Sequence, residues 1–304
     1  MTRHDSSPLV DWVAAELGSE VVRHGRLGGG DVAESYRLEL ADGRQVFAKT
    51  HRDPPPGFFT TEAWGLAWLR EAEAGAAAVP EVLAVSDGPA SGGTDGSPGD
   101  EPPALVLEWI EEGRSSGTTE ADLGRSLAEL HRAGAPCFGR EDRRTTGSRA
   151  LPNDPCDTWV EFFATRRLLP LARLAHDGGA LPESTVADLE SVAGRLDALG
   201  GAVEPPARLH GDLWAGNRLV DRNAQNWLID PAAHGGHREF DLAMMRLFGG
   251  FGSDCFSAYH DTFPLAPDWE ERVPLHQLAP LTVHAIKFGG GYVGATRRAL
   301  DELV

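Results

Sequence analysis

Residues 210–217 read His-Gly-Asp-Leu-Trp-Ala-Gly-Asn, and a second carboxylate, Asp230, closes the apolar run Asn226-Trp227-Leu228-Ile229. Between them lie a strand-length piece, Arg218-Leu219-Val220, and a polar turn through Asp221-Arg222-Asn223, so the pattern predicts a short β-hairpin. Asp212 and Asn217 stand at its entrance and Asp230 at its exit. A hairpin returns the chain to the edge it left. Three oxygen-bearing side chains are thereby expected on one edge, and the remaining sequence has to fold around them.

Upstream, the hydrophobic period alternates between two and 3.6. Ser7-Pro8 opens a short helix through Val10, Trp12, Val13 and Leu17, closed by Gly18. Glu34 to Leu40 and Gln45 to Lys49 alternate around a turn at Asp42-Gly43 and predict a hairpin. Thr61-Glu62 starts a helical run with Trp64, Ala67, Trp68 and Leu69, ending near Gly75. Val79 to Val85 and Leu105 to Ile110 read as further strands. Ser86 to Pro103 is crowded with Gly, Pro, Ser and Asp and has no large apolar anchor, which predicts a loop. After Gly113 the pattern turns helical: Leu123, Leu127 and Leu130; then Trp159, Phe162, Phe163, Leu168 and Leu169; then Pro182 to Leu199. Helices are also expected at Glu239 to Phe248, Cys255 to Phe263 and Leu275 to Val304. The strands precede the helices, and the class is α+β.

Composition removes several function classes. A formal charge of −18 over 304 residues opposes a surface built to neutralise nucleic-acid phosphates. No apolar stretch reaches the roughly 18 residues of a membrane span, and Met1 to Ser7 lacks the basic-then-apolar layout of a secretion signal. The expected location is therefore cytoplasmic. Cys137, Cys156 and Cys255 match no disulfide or zinc-ligand spacing. No Gly-x4-Gly-Lys-Ser/Thr loop occurs.

What the residues do match is phosphoryl transfer, which needs a group to orient the attacking hydroxyl, metal ligands for the phosphates, and cations or amides to absorb developing charge. Asp212 and Asn217 are spaced as an acceptor-orienting Asp and a magnesium-binding Asn, and Asp230 can return to the same Mg2+. Gly28, Gly29 and Gly30 precede the first hairpin, where bare backbone amides can approach phosphates. Lys49 ends the following strand and Glu62 begins the next helix, the order of a phosphate-gripping lysine and its positioning carboxylate. His210 is read as a structural support of its loop. Trp214 is read as a platform for an acceptor, with core packing as the competing reading.

With these strings in place, the chain resembles the fructosamine 3-kinase or ketosamine 3-kinase family, within the aminoglycoside and choline phosphotransferase-like kinases. The resemblance rests on Leu209-His210-Gly211-Asp212-Leu213-Trp214-Ala215-Gly216-Asn217, Ile229-Asp230-Pro231-Ala232, Gly236-His237-Arg238-Glu239-Phe240-Asp241-Leu242-Ala243 and Trp159-x2-Phe162-Phe163. It implies a two-lobed protein-kinase-like fold. Residues 1–110 would be an ATP-binding lobe with a small antiparallel sheet and one main helix, and residues 111–304 a larger, mainly helical catalytic lobe. It further implies ATP and Mg2+ as cofactors and a free or protein-bound ketosamine as acceptor, phosphorylated on the sugar 3-hydroxyl. Glu108, Trp109 and Ile110 would form the hinge that hydrogen-bonds adenine through the main chain. His237 and Glu239 would border the sugar pocket or brace the metal loop, and Asp241, where the family more often has Glu, would brace. Two other expectations compete: a kinase for an aminoglycoside or amino alcohol, and a pseudokinase, which predicts loss of Lys49, Asp212, Asn217 or Asp230. None is lost.

Overall fold

The computed structural model describes residues 7–28, 33–72, 76–88, 101–145, 150–200 and 203–304. The N-terminal lobe opens with α1 (Pro8–Leu17), whose first turn is capped by the Ser7 hydroxyl accepting from the Val10 N–H, and whose end is turned by Gly18 at φ 64°. Then follow β1 (Val21–Leu27), β2 (Glu34–Leu40), β3 (Gln45–Thr50), α2 (Phe58–Arg70), β4 (Val82–Asp87) and β5 (Pro103–Glu108). The five strands form one sheet in the order β1-β2-β3-β5-β4, antiparallel at each step. Period-two alternation decides which side each residue serves. Ala104 and Val106 join Leu38, Leu40, Val46 and Ala48 in packing against Leu9, Trp12 and Val13 of α1. Leu105 and Leu107 face the other way, onto Phe59, Leu66 and Leu69 of α2.

The C-terminal lobe comprises α3 (Thr119–Arg132), α4 (Trp159–Phe163), a π-turn at Ala164–Leu168, α5 (Leu169–Asp177), α6 (Glu183–Ala193) and α7 (Leu196–Leu199). It continues with β6 (Ala207–Leu209), β7 (Arg218–Val220), β8 (Asn226–Leu228), β9 (His234–Gly236), α8 (Glu239–Phe248), α9 (Ser253–Thr262), α10 (Val273–Phe288) and α11 (Gly291–Asp301). β7 and β8 pair as the expected hairpin, Leu219 opposite Trp227. The core that receives α2 also holds Leu123 and Leu127 of α3, Leu213, Leu228 and Met245, so one apolar cluster runs from one lobe into the other.

Several expectations shift. α2 begins at Phe58 and stops at Arg70, before the expected Gly75. Asp87 accounts for the early start, since its Oδ1 accepts from the Phe59 and Thr60 N–H groups and caps the helix from β4. The stretch expected as a loop from Ser86 contributes Ser86 and Asp87 to β4 and Pro103 to β5, and residues 89–100 lie outside the described ones. The helix expected over 182–199 breaks into α6 and α7, and that over 275–304 into α10 and α11. Gly289 and Gly290 adopt φ 62° and 55° at the second break, backbone in which an α-helix cannot continue. Among the described residues no helix is long and apolar enough to cross a membrane.

Candidate active site

Lys49 sits on β3, the third strand of its sheet, opposite Ser35 and Leu105. Its Nζ stands 2.5 Å from Glu62 Oε2 of α2 and 2.7 Å from Asp230 Oδ1. The lysine therefore ties the sheet, the helix and the segment after β8 together. Burial works against its charge, yet Asp230 and Glu62 push its pKa up. Asp230 is likewise opposed by burial but is held below the usual carboxylate range by Lys49. Glu62 is raised to about 7, first by burial and then by the neighbouring Asp230 charge, against the pull of Lys49. Asp230 has φ 54°, a left-handed backbone rare for a non-glycine, and such strain persists where surrounding contacts over-determine it.

Asp212 and Asn217 lie where the chain enters β7. Asn217 is buried, and its Nδ2 donates to the Asp212 carbonyl at 2.8 Å and to Asp212 Oδ2 at 3.1 Å, with the Asp230 carbonyl at 3.5 Å. The Ile229 N–H donates to the Asn217 carbonyl, which fastens the exit of the hairpin to its entrance. Burial raises the Asp212 pKa to about 7; the Asp230 and Asp241 charges add to the rise, while Asn217 and Lys287 oppose it.

The loop is held from beneath by Asp241, fully buried in the first turn of α8. Its Oδ2 accepts from the His210 N–H at 2.8 Å and its Oδ1 from the Gly211 N–H at 2.9 Å, and His131 Nε2 lies 3.2 Å away. His210 is fully buried, with Nε2 2.9 Å from the Ile229 carbonyl, and burial pushes its pKa down. Gly211 cannot be another residue here: its φ is 80°, and a Cβ would come within 2.2 Å of the Ala232 carbonyl oxygen.

Trp214 is 42% exposed, and its ring lies over Gly216, where a Cβ would come within 2.3 Å of the indole. A strip of rings continues from it: Phe248 at 6.2 Å, His284 at 5.0 Å from Phe248, then Phe288 and Tyr292 at 5.6 and 4.9 Å from His284. Lys287 belongs to the same end of α10. The proximity of His284, Phe288 and Tyr292 to Trp214 had no signal in the linear pattern, because they stand some 70 residues from it on helices that reveal no site by spacing.

His237 and Glu239 do not border this surface, so of the two roles expected of them, edging the sugar pocket or bracing, their burial fits bracing. They are 3% and 1% exposed. Glu239 is gripped by Arg272 at 2.6 and 2.9 Å, with His276 Nε2 3.3 Å away. His237 packs its ring 5.4 Å from Trp159 and 5.1 Å from His276. The cause is the direction of α8: its first turn points into the lobe's core, so polar residues there meet partners from α10 and its approach. Of the hinge residues, Glu108 donates its N–H to the Glu81 carbonyl, while the Trp109 indole donates to Glu111 and lies 4.7 Å from the Arg37 guanidinium. Gly28 follows the last residue of β1, and Gly29 and Gly30 lie outside the described residues.

A family model described as fructosamine kinase matches residues 9–304. A probable ketoamine kinase from Synechocystis sp. is 34% identical over 278 residues, 90% of this chain and 88% of the relative. The chloroplastic protein-ribulosamine 3-kinase of Arabidopsis thaliana is 31% identical over 310 residues, 99% of this chain and 89% of its own length. A crystal structure named for a fructosamine-3-kinase of Thermobifida fusca superimposes with a TM-score of 0.85 at 38% identity, covering 98% of this chain and 99% of that one. An aminoglycoside phosphotransferase, at 13% identity and a TM-score of 0.61, shares the two-lobed kinase-like fold over 97% of this chain and 99% of its own. With its Lys49–Glu62–Asp230 junction, its catalytic-type loop and a match over nearly its whole length, the chain belongs to the fructosamine kinase family.

Proposed function

We propose that this protein transfers the γ-phosphoryl group of ATP to the sugar 3-hydroxyl of a ketosamine, the adduct formed when a reducing sugar glycates an amine. The observation that carries this reading is the Asn217 amide, which joins Asp212 to the end of β8 and so sets the acceptor side of the site against the phosphate side. Asp212 takes the proton of the sugar hydroxyl as its oxygen forms a bond to the γ-phosphorus and the bond to the β,γ-bridging oxygen breaks, releasing ADP. A carboxylate poised near pH 7 suits that task. Lys49, aligned by Glu62, meets the α- and β-phosphates. Trp109 and Ile110 offer adenine main-chain partners, since the Glu108 N–H is already engaged.

The donor set also fits magnesium. Asn217 Nδ2 is directed to Asp212, which leaves its Oδ1 as the atom for a cation beside the Asp230 carboxylate, and hard oxygen donors suit this ion. When bound there, magnesium supplies positive charge against the phosphate oxygens. On the acceptor side, the Trp214 ring offers the sugar its face, and the rings from Phe248 to Tyr292 extend that surface towards the amine carrier.

Purified protein with ATP and Mg2+ is expected to phosphorylate ribulosamines, erythrulosamines or fructosamines. Turnover confined to aminoglycosides or amino alcohols would sink the reading. Trp214→Ala is expected to raise the acceptor KM roughly three- to tenfold, the scale of one aromatic contact, with the ATP KM unchanged. A wild-type acceptor KM would remove the tryptophan from the acceptor site.

A further inference from the structure

Helix α2 carries Glu62, and just beyond it Trp64 and Trp68 stack with ring centroids 5.1 Å apart at 20°. Both rings meet arginines of the C-terminal lobe. The Arg140 guanidinium lies 3.6 Å from the Trp64 centroid, and that of Arg208, on β6, lies 4.7 Å from Trp68. Arg140 is 2% exposed, and the two oxygens of Asp142 hold its Nε and Nη2 at 2.9 and 2.7 Å, which sets the plane offered to the indole. Arg208 donates to the Trp68 carbonyl and to the Gly134 carbonyl. At the start of the helix Arg144 Nη1 donates to Thr60 Oγ1 at 2.7 Å. At its middle, Gly65 approaches the segment after Asp230 so closely that a Cβ would stand 3.2 Å from Ala233 Cβ.

These contacts bind α2 to the lobe that carries Asp212 and Asp230, while Glu62 reaches from the same helix to Lys49 on the sheet. Lys49 touches both Glu62 and Asp230 only if α2, β3 and the segment after β8 keep one mutual position. Apolar contacts alone could attach α2 to the C-terminal lobe without desolvating a cation. A buried, forked guanidinium instead specifies orientation, because it stacks in one plane and loses much of its hydration to do so. The pairing of lysine with the helix carboxylate has to be in place for phosphoryl transfer.

We propose that Arg140 and Arg208 are positioning residues for the phosphate-binding pair: stacked on Trp64 and Trp68, they hold α2 where Glu62 meets Lys49. The inference rests on Lys49 and Glu62 serving ATP, as proposed above.

The test is a mutant cycle on the full-length protein, read as ATP kcat/KM, acceptor KM and Tm. Glu62→Ala is expected to lower ATP kcat/KM at least tenfold. Arg140→Ala and Arg208→Ala are each expected to lower it roughly three- to tenfold, within the range of a single cation–π contact, with acceptor KM unchanged. Arg140→Lys, which keeps the charge and loses the flat stack, should retain the fold and show part of the same loss. In the Glu62→Ala background each arginine replacement should change ATP kcat/KM by less than about twofold, since its effect passes through a group already removed. Losses that persist undiminished in that background, or a lower Tm with wild-type ATP kinetics in the single variants, overturn the proposal. A Glu62→Ala enzyme with wild-type ATP kinetics overturns the reading of the pair itself, and the positioning role falls with it.

Discussion

Asp212→Asn is expected to lower kcat by roughly 10²- to 10⁴-fold, the contribution of a positioned general base, while MgATP binding and Tm stay near wild type. The carboxylate and the amide have nearly the same shape. Asn217 Nδ2 can still donate to the Asp212 carbonyl at 2.8 Å and to the new amide oxygen, so the loop keeps its anchors. His210 and Gly211 continue to donate to Asp241, which the substitution does not touch. What disappears is the proton acceptor. Isothermal titration with a non-hydrolysable ATP analogue and steady-state turnover separate the two quantities. A variant that binds nucleotide and retains more than a tenth of wild-type kcat would remove Asp212 from proton transfer.

Glu239→Gln is expected to cost roughly 3 kcal/mol of stability at pH 7 without raising the acceptor KM. Burial penalises the Glu239 charge, but His276 and Arg272 more than offset it and hold the carboxyl down to about 2. With its folded-state pKa below the ordinary value near 4.5, Glu239 contributes stability that is fully present above that pH and lost as pH falls towards 2. A depression of two to three pKa units corresponds to roughly 3 kcal/mol. The amide leaves the nearly buried Arg272 without its anion. Urea denaturation should show a lower midpoint for the variant at pH 7, and a gap between the two proteins that narrows between pH 4.5 and 2.5. A wild-type midpoint together with a raised acceptor KM would return Glu239 to the substrate site.

The two substitutions differ because identical chemistry in the sequence was placed in unlike surroundings. Asp212 and Glu239 both follow a Gly-containing His motif, Gly211 in one case and Gly236-His237 in the other. Asp212 stands at the entrance of a hairpin whose exit, through Asp230, reaches Lys49, whereas Glu239 starts a helix that points into the core. A motif records which side chains travel together and leaves open which way the element carrying them will turn.

Elements governed by local signals were legible. The Ser7 cap, Pro8 and Gly18 bound α1, and the Asp42-Gly43 turn joins β2 to β3, because caps and turns depend on a few adjacent residues. β1 gave no such signal. Its central residues from Val22 to Arg26 are exposed, as befits an edge strand with one neighbour, and no apolar alternation marks Val-Val-Arg-His-Gly-Arg-Leu as a strand. β6 and β9 are three residues each and exist only because Ala207–Leu209 finds Gly236–His234 across the catalytic loop.

By itself the sequence determined the family and the mixed α+β class, and it pointed to the residues proposed for phosphoryl transfer, since these depend on residue type and short spacing. The Lys49–Glu62 pairing and the bracing by Asp241 were already expected. Tertiary structure alone decided that Asp230 joins Lys49 beside Glu62, that Asp241 holds the loop through the His210 and Gly211 N–H groups, that Phe248, His284 and Phe288 continue the surface begun by Trp214, and that two arginines grip α2. Each of these joins residues separated by tens to nearly two hundred positions. Such contacts are selected by the packing of whole helices and sheets against one another, a free energy that no single window of sequence contains.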